Sequence, residues 1–181
     1  MTPVPATPPP DTRDWLVVLE QGCDECGWSP HPAAESVQRL RAAAPAWTAV
    51  LARDDARHRP AETTWSPLEY ACHLRDVVTV WEERTRAMVA EDDPVFSNFD
   101  GDATAIARQY WNASPAAVAD EFAVATAETA GVLEGLSAEE WERPGRRGDG
   151  APFTVSSLAL YFSHELTHHL RDANGCPTVA S

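Results

Sequence analysis

Near the end of the chain the sequence reads YFSHELTHHLRDANG, residues 161 to 175. His164, Glu165 and His168 fall in the order H-E-x-x-H, which on a helix is the signature of a zinc protease. Two histidines four residues apart project from the same side of a helix, one turn apart, and can share one ion. A catalytic zinc takes three protein ligands and keeps a further position open. The downstream sequence supplies no third ligand in either protease pattern. No acidic residue follows Asp172, and the extended metzincin form would need Gly and His where Arg171 and Asn174 stand. The third ligand must therefore come from upstream.

Three histidines lie upstream. His31 and His58 lie in polar, loop-like segments. His73 lies in WSPLEYACHLRDV, on a helical face shared with Tyr70, Val77 and Trp81, so its side chain is expected to point inward. Two facing helices could then join His73 to His164 and His168, although a lone buried histidine is more often a hydrogen-bonded core residue. His169 is rotated about 100° from His168 and reads as an outer neighbour or a surface group. Glu165 is rotated similarly from His164 and need not act as a base. Asp172, one turn beyond His168, can hydrogen-bond a ligand imidazole and fix its tautomer.

A second set of soft ligands precedes these helices. Cys23 and Cys26 in CDECG form half of a zinc ribbon, and the other half is missing from the sequence. They could join His31 and Cys176 in a small second metal site, form a redox pair, or remain two loop thiols.

The elements that must carry these residues are helical. Val37, Leu40, Ala44, Trp47, Val50 and Leu51 recur at spacings of three and four, with Pro45 as a place for a kink or restart. Ser66, Pro67 and Glu69 announce a second helix to about residue 90. Ser114 and Pro115 repeat the signal for a third, to about residue 136. A last helix is expected from about Thr154 to Ala173, stopped by Asn174 and Gly175 with Pro177 beyond. DWLVVLE, residues 14 to 20, reads as a strand-like arm or a helical turn. No strand pairing and no internal repeat is evident. The fold class is all-α: a four-helix bundle with a long crossover, residues 92 to 113, between the second and third helices. An arm with the CxxC loop occupies 1–32, the bundle 33–175 and a tail 176–181.

Composition bounds the function. The chain has 181 residues, a formal net charge of −14 and 14 basic residues, all of them arginine. So acidic a surface repels phosphate backbones and anionic lipid, which argues against nucleic acid and membranes as partners. The absence of lysine excludes Schiff-base chemistry. The first ten residues lack the features of a signal peptide, and no apolar run is long enough to span a bilayer, so a cytoplasmic location is expected.

The helix opening WSPLEYACHLRD and the terminal helix carrying HELTHH resemble the DinB-like superfamily, over roughly residues 33 to 175. That superfamily includes the mycothiol-dependent maleylpyruvate isomerase and bacterial thiol S-transferases. The resemblance implies a DinB-like four-helix bundle holding a divalent metal, zinc first and nickel second, on His73, His164 and His168. It further implies an enzyme that activates a low-molecular-weight thiol, such as mycothiol, as a metal-bound thiolate for transfer to a small electrophilic substrate. The alternative is a non-catalytic metal or small-ligand binding protein on the same bundle. Bundles of this kind often pair, so a homodimer is compatible with the sequence.

Overall fold

The computed structural model describes residues 4–9 and 13–175. Cys176 and the rest of the expected tail lie outside the described residues. A 3-10 turn at Trp15–Val17 leads into the short helix α1, Val18–Gln21, so the apolar run of the arm is helical and not a strand. Helix α2, Ser36–Leu51, runs unbroken through Pro45, held by buried Leu40, Ala43, Trp47, Val50 and Leu51.

Helix α3, Pro67–Ala90, begins as its sequence dictates. Ser66 accepts from the backbone N–H of Glu69, Glu69 returns the bond to the Ser66 backbone, and Pro67 occupies the first turn. Arg59 holds the same Glu69 carboxylate through Nε at 2.8 Å and Nη2 at 2.5 Å. The cap is thus a buried charged network, and it starts α3 nearly two turns before His73.

The crossover contains helix α4, Gly101–Arg108, and a 3-10 turn at Tyr110–Asn112. It is pinned to α3 by Asp76, which accepts from Tyr110 Oη (2.5 Å), Arg108 (2.7 Å) and Arg75 (2.9 Å). Helices α5, Pro115–Glu134, and α6, Val155–Ala173, complete the bundle, capped by Ser114 and Thr154. Around the bundle, α2 packs on α5, α5 on α3, α3 on α6 and α6 on α2. The interior is filled by Trp47, Trp81, Phe122, Leu40, Leu68 and Leu133, with Trp81 stacked on Phe162 at 5.0 Å between ring centres. Among the described residues no helix is long and apolar enough to cross a membrane.

The expectation of no strand pairing is corrected by a small sheet. Strand β1, Val95–Phe96, pairs parallel with β2, Pro144–Arg147, which pairs antiparallel with β3, Pro152–Thr154. The strands leave little trace in the sequence: they are two to four residues long, two begin with proline, and neither β1 nor β2 shows an alternating apolar face. Gly145 permits the packing: a Cβ there would lie 2.8 Å from Met88 Cγ and from Phe96 Cζ. The sheet brings Arg147 and Phe153 to the mouth of the site described next.

Candidate metal centre

Helix α6 carries two interleaved pairs at i, i+4: His164 with His168, and Glu165 with His169. The structure sends them to different neighbours. Glu165 and His169 face α3, where with His73 they form a group whose donor atoms all lie within 4.8 Å of one another. His164 and His168 face the arm, where they group with Cys23 and Cys26 within the same distance. The three histidines expected to share one ion are not brought together. His73 stands with Glu165 and His169, on the other side of α6 from its expected partners.

Helical geometry gives the reason. At about 100° per residue, the buried stripe Val155, Leu158, Ala159, Phe162, Leu166 and Ala173 sets the direction of the bundle core. His169 falls about 40° from the centre of that stripe and Glu165 about 80°. His168 falls about 140° away and His164 about 180°, opposite the core. His169 and Glu165 therefore fall on the core-facing side of α6, and His164 and His168 on the opposite side.

In the group on α3 and α6, Glu165 Oε2 lies 3.3 Å from His169 Nε2 and 3.9 Å from His73 Nε2. The two imidazoles stand nearly perpendicular, with ring centres 5.1 Å apart. Asp172 Oδ2 lies 3.2 Å from His169 Nδ1, and also 3.7 Å from His168 Nε2, so one carboxylate orients a ring of each pair. His169, expected as an outer neighbour, lies within the group on α3 and α6, and Asp172 lies against both His168 and His169. Trp65 and Phe99 flank His73, and Tyr70 packs on His169. Gly101, the first residue of α4, lies close against His73: a Cβ there would come within 3.0 Å of the ring.

The protonation states of His73 and Glu165 suit a metal. Burial lowers the pKa of His73 and so favours its neutral, ligating form. Burial alone would raise the Glu165 carboxyl, but the His169 and His73 rings beside it outweigh burial and keep the group ionised. His169 is opposed by burial and supported by Asp172 and Glu165, which together lift it to about 9. Two imidazoles and one ionised carboxylate converging within 4.8 Å fit a divalent ion. An ion there would be held by His73, Glu165 and His169.

Two expected results follow. Below pH 9 the proton between His169 Nε2 and Glu165 must leave before that nitrogen can bind metal, while Nδ1–H stays on Asp172. Binding at pH 7 should thus release about one proton at this centre, with affinity falling about tenfold for each unit that pH drops. Calorimetry in buffers of different ionisation enthalpy measures it, as the difference between wild type and His73→Ala. The second concerns Asp172→Asn, which removes the carboxylate behind His169 and should weaken metal binding at this centre roughly 10–100-fold in competition titrations.

A cleft of about 110 Å³ opens beside the group, with His73 and Glu165 on its wall. Val77, Phe99, Phe153 and Phe162 make it largely apolar, and Arg84, Arg147 and Tyr161 add polar groups. Burial, then the nearby Glu165 charge, raises the Tyr161 phenol, which keeps its proton.

On the arm side, the Cys23 Sγ lies 3.6 Å from His168 Nδ1. Burial lowers His168 and takes His164 down to about 4. It pushes the Cys26 thiol up to about 11, away from the low values of reactive cysteine pairs. His31 is not in this group; its Nε2 meets Ser163 Oγ at 2.9 Å.

Comparison with known proteins agrees with this architecture. No curated protein matches the chain in sequence. Among solved structures, YfiT from Bacillus subtilis, described as a probable metal-dependent hydrolase with an unusual four-helix bundle topology, superposes with a TM-score of 0.71 at 17% identity. The match covers 80% of this chain and 85% of that one. The model of the DinB superfamily matches residues 36–173, which span all four bundle helices and both donor pairs of α6. The chain belongs to the DinB superfamily.

Proposed function

We propose that this protein is a metal-dependent enzyme in which a divalent ion on His73, Glu165 and His169 activates a low-molecular-weight thiol against a small electrophile. The observation that carries this reading is the donor count at the cleft. Three protein donors converge, and two of them, His73 and Glu165, also line the cleft. Three-donor sites leave a position for a reactant, whereas four-donor sites close it. This favours chemistry over a purely structural or storage role. Zinc is the ion we expect first for two imidazoles and a carboxylate.

When bound, such an ion supplies Lewis acidity and lowers the pKa of a thiol or water in the open position. The protein's own residues do the rest. Asp172 fixes the His169 ring through Nδ1, so that Nε2 faces the centre. The aromatic wall excludes water from the reacting atoms. Arg84 and Arg147 offer guanidinium groups to an anionic end of the substrate. Tyr161 Oη carries a proton that it can share with developing negative charge.

A second reading, metal-assisted hydrolysis, is favoured by the donor set itself, since two histidines and a glutamate also hold zinc in hydrolases that use water. The structural resemblance to YfiT, described as a probable metal-dependent hydrolase, points the same way. A single assay separates the readings. Zinc-loaded protein is given an electrophile with mycothiol, bacillithiol or cysteine, and separately an activated ester without thiol. Thiol-dependent turnover that disappears in His73→Ala supports the proposal. Ester hydrolysis that needs metal but no thiol replaces it with the hydrolase, and the absence of metal-dependent turnover in both arms removes the enzymatic reading.

A further inference from the structure

The arm-side group makes no use of the cleft, yet it is more deeply buried than the centre beside it. Cys23, His164 and His168 are 3%, 1% and 4% exposed. Both ring nitrogens of His164 are buried without a hydrogen-bond partner. A native interior rarely leaves both polar atoms of an imidazole unsatisfied, and an orphan of this kind asks for a ligand. The nearest chemistry is two cysteines and a second imidazole.

The local backbone is shaped to present both thiols together. Gly22 and Gly27 adopt φ of 76° and 72°, values that favour glycine. The Gly27 N–H donates to Cys23 O, and Cys23 N–H donates to Trp28 O, closing a tight turn around Asp24 and Glu25. A side chain at Gly22 would meet Trp28 O at 2.9 Å. The turn is fastened to α6 by Trp28 Nε1, which donates to Ser163 Oγ at 3.2 Å. Trp15 covers the His164 and His168 rings at 5.3 and 4.8 Å between centres, and Trp28 lies edge-on to His164 at 5.6 Å.

We infer that Cys23, Cys26, His164 and His168 form a second, closed zinc site that staples the arm to α6. Zinc–sulfur and zinc–nitrogen bonds of about 2.3 and 2.0 Å at the tetrahedral angle give a sulfur–nitrogen edge of about 3.5 Å. The Cys23 Sγ to His168 Nδ1 distance is 3.6 Å. Asp172 stands 3.7 Å behind His168 Nε2, where it keeps Nδ1 turned to the thiolates. Two thiolates and two imidazoles satisfy zinc without water, so the site is structural. It occupies the back of α6, opposite the bundle core, and reinforces the packing that aims Glu165 and His169 at His73.

The test uses the full-length chain loaded with cobalt in place of zinc, because thiolate-to-cobalt charge transfer in the near ultraviolet reports cysteine ligation directly. Wild type and His73→Ala should both show that band with the absorption of a tetrahedral ion, and Cys26→Ser should lose it. The zinc-loaded chain should lose about one zinc equivalent in Cys26→Ser. The wild-type spectrum decides the matter even if that variant folds poorly. No thiolate band in cobalt-loaded wild type, or a Cys23–Cys26 disulfide in the zinc-loaded protein by mass spectrometry, overturns the site.

Discussion

Replacing His73 with alanine is expected to lower metal-dependent turnover by at least about a thousandfold. His73 is the only donor that α3 contributes to the group with Glu165 and His169, and it also lines the cleft. Removing it leaves two ligands, both from α6. A Lewis acid supplies several kcal/mol of transition-state stabilisation, and about 4 kcal/mol corresponds to a thousandfold in rate. The loss should be in chemistry, not in fold. The ring packs against Trp65, Phe99 and His169 without belonging to the deepest core, so its truncation should cost about 1–2 kcal/mol of stability. Steady-state kinetics beside a denaturant melt separates the two effects. Equal loss of rate and of folded protein would move His73 into a structural role.

Glu69→Ala is expected to cause the largest loss of stability, about 3–5 kcal/mol. The side chain is 2% exposed and its carboxylate is shared among the Arg59 guanidinium, the Ser66 hydroxyl and the Ser66 backbone N–H. The Arg59 side chain, 15% exposed, would keep its charge with no carboxylate beside it. Breaking one side of a buried charged pair is costly for that reason, and the same change removes the reciprocal cap of α3. For a chain of this length the loss amounts to a fall of roughly 10 °C in Tm. Glu69→Gln, which preserves shape and some hydrogen bonding, should lose less. A melt in which Glu69→Ala unfolds like wild type would show that the network contributes nothing net.

Much of the scaffold was legible because its signals are local. Ser66, Pro67 and Glu69 announce α3, Ser114 and Pro115 announce α5, and Asn174 with Gly175 ends α6, each through capping chemistry confined to a few neighbours. The sheet was not legible, since β1 and β2 pair across about fifty residues and neither has the alternation by which strands declare themselves. The centre was half legible. His73 and the donor-rich turn of α6 could be read from residue type and spacing. Which of the two interleaved pairs faces α3 depends on helix rotation, set by Leu158, Phe162 and Leu166 and not by the spelling of the motif. CDECG reads by itself as half of a metal site, because the histidines grouped with it, His164 and His168, come about 140 residues later in the chain.

Two donor groups lie on two faces of α6, and the one nearer α3 is the proposed holder of the reactive ion. Anomalous diffraction from crystals of the zinc-loaded full-length protein locates that ion directly. The prediction is a peak within bonding distance of His73, Glu165 and His169, bordering the cleft lined by Arg84, Arg147 and Tyr161. A single peak bridging His73 to His164 and His168, or no peak beside His73 at saturating zinc, would contradict it.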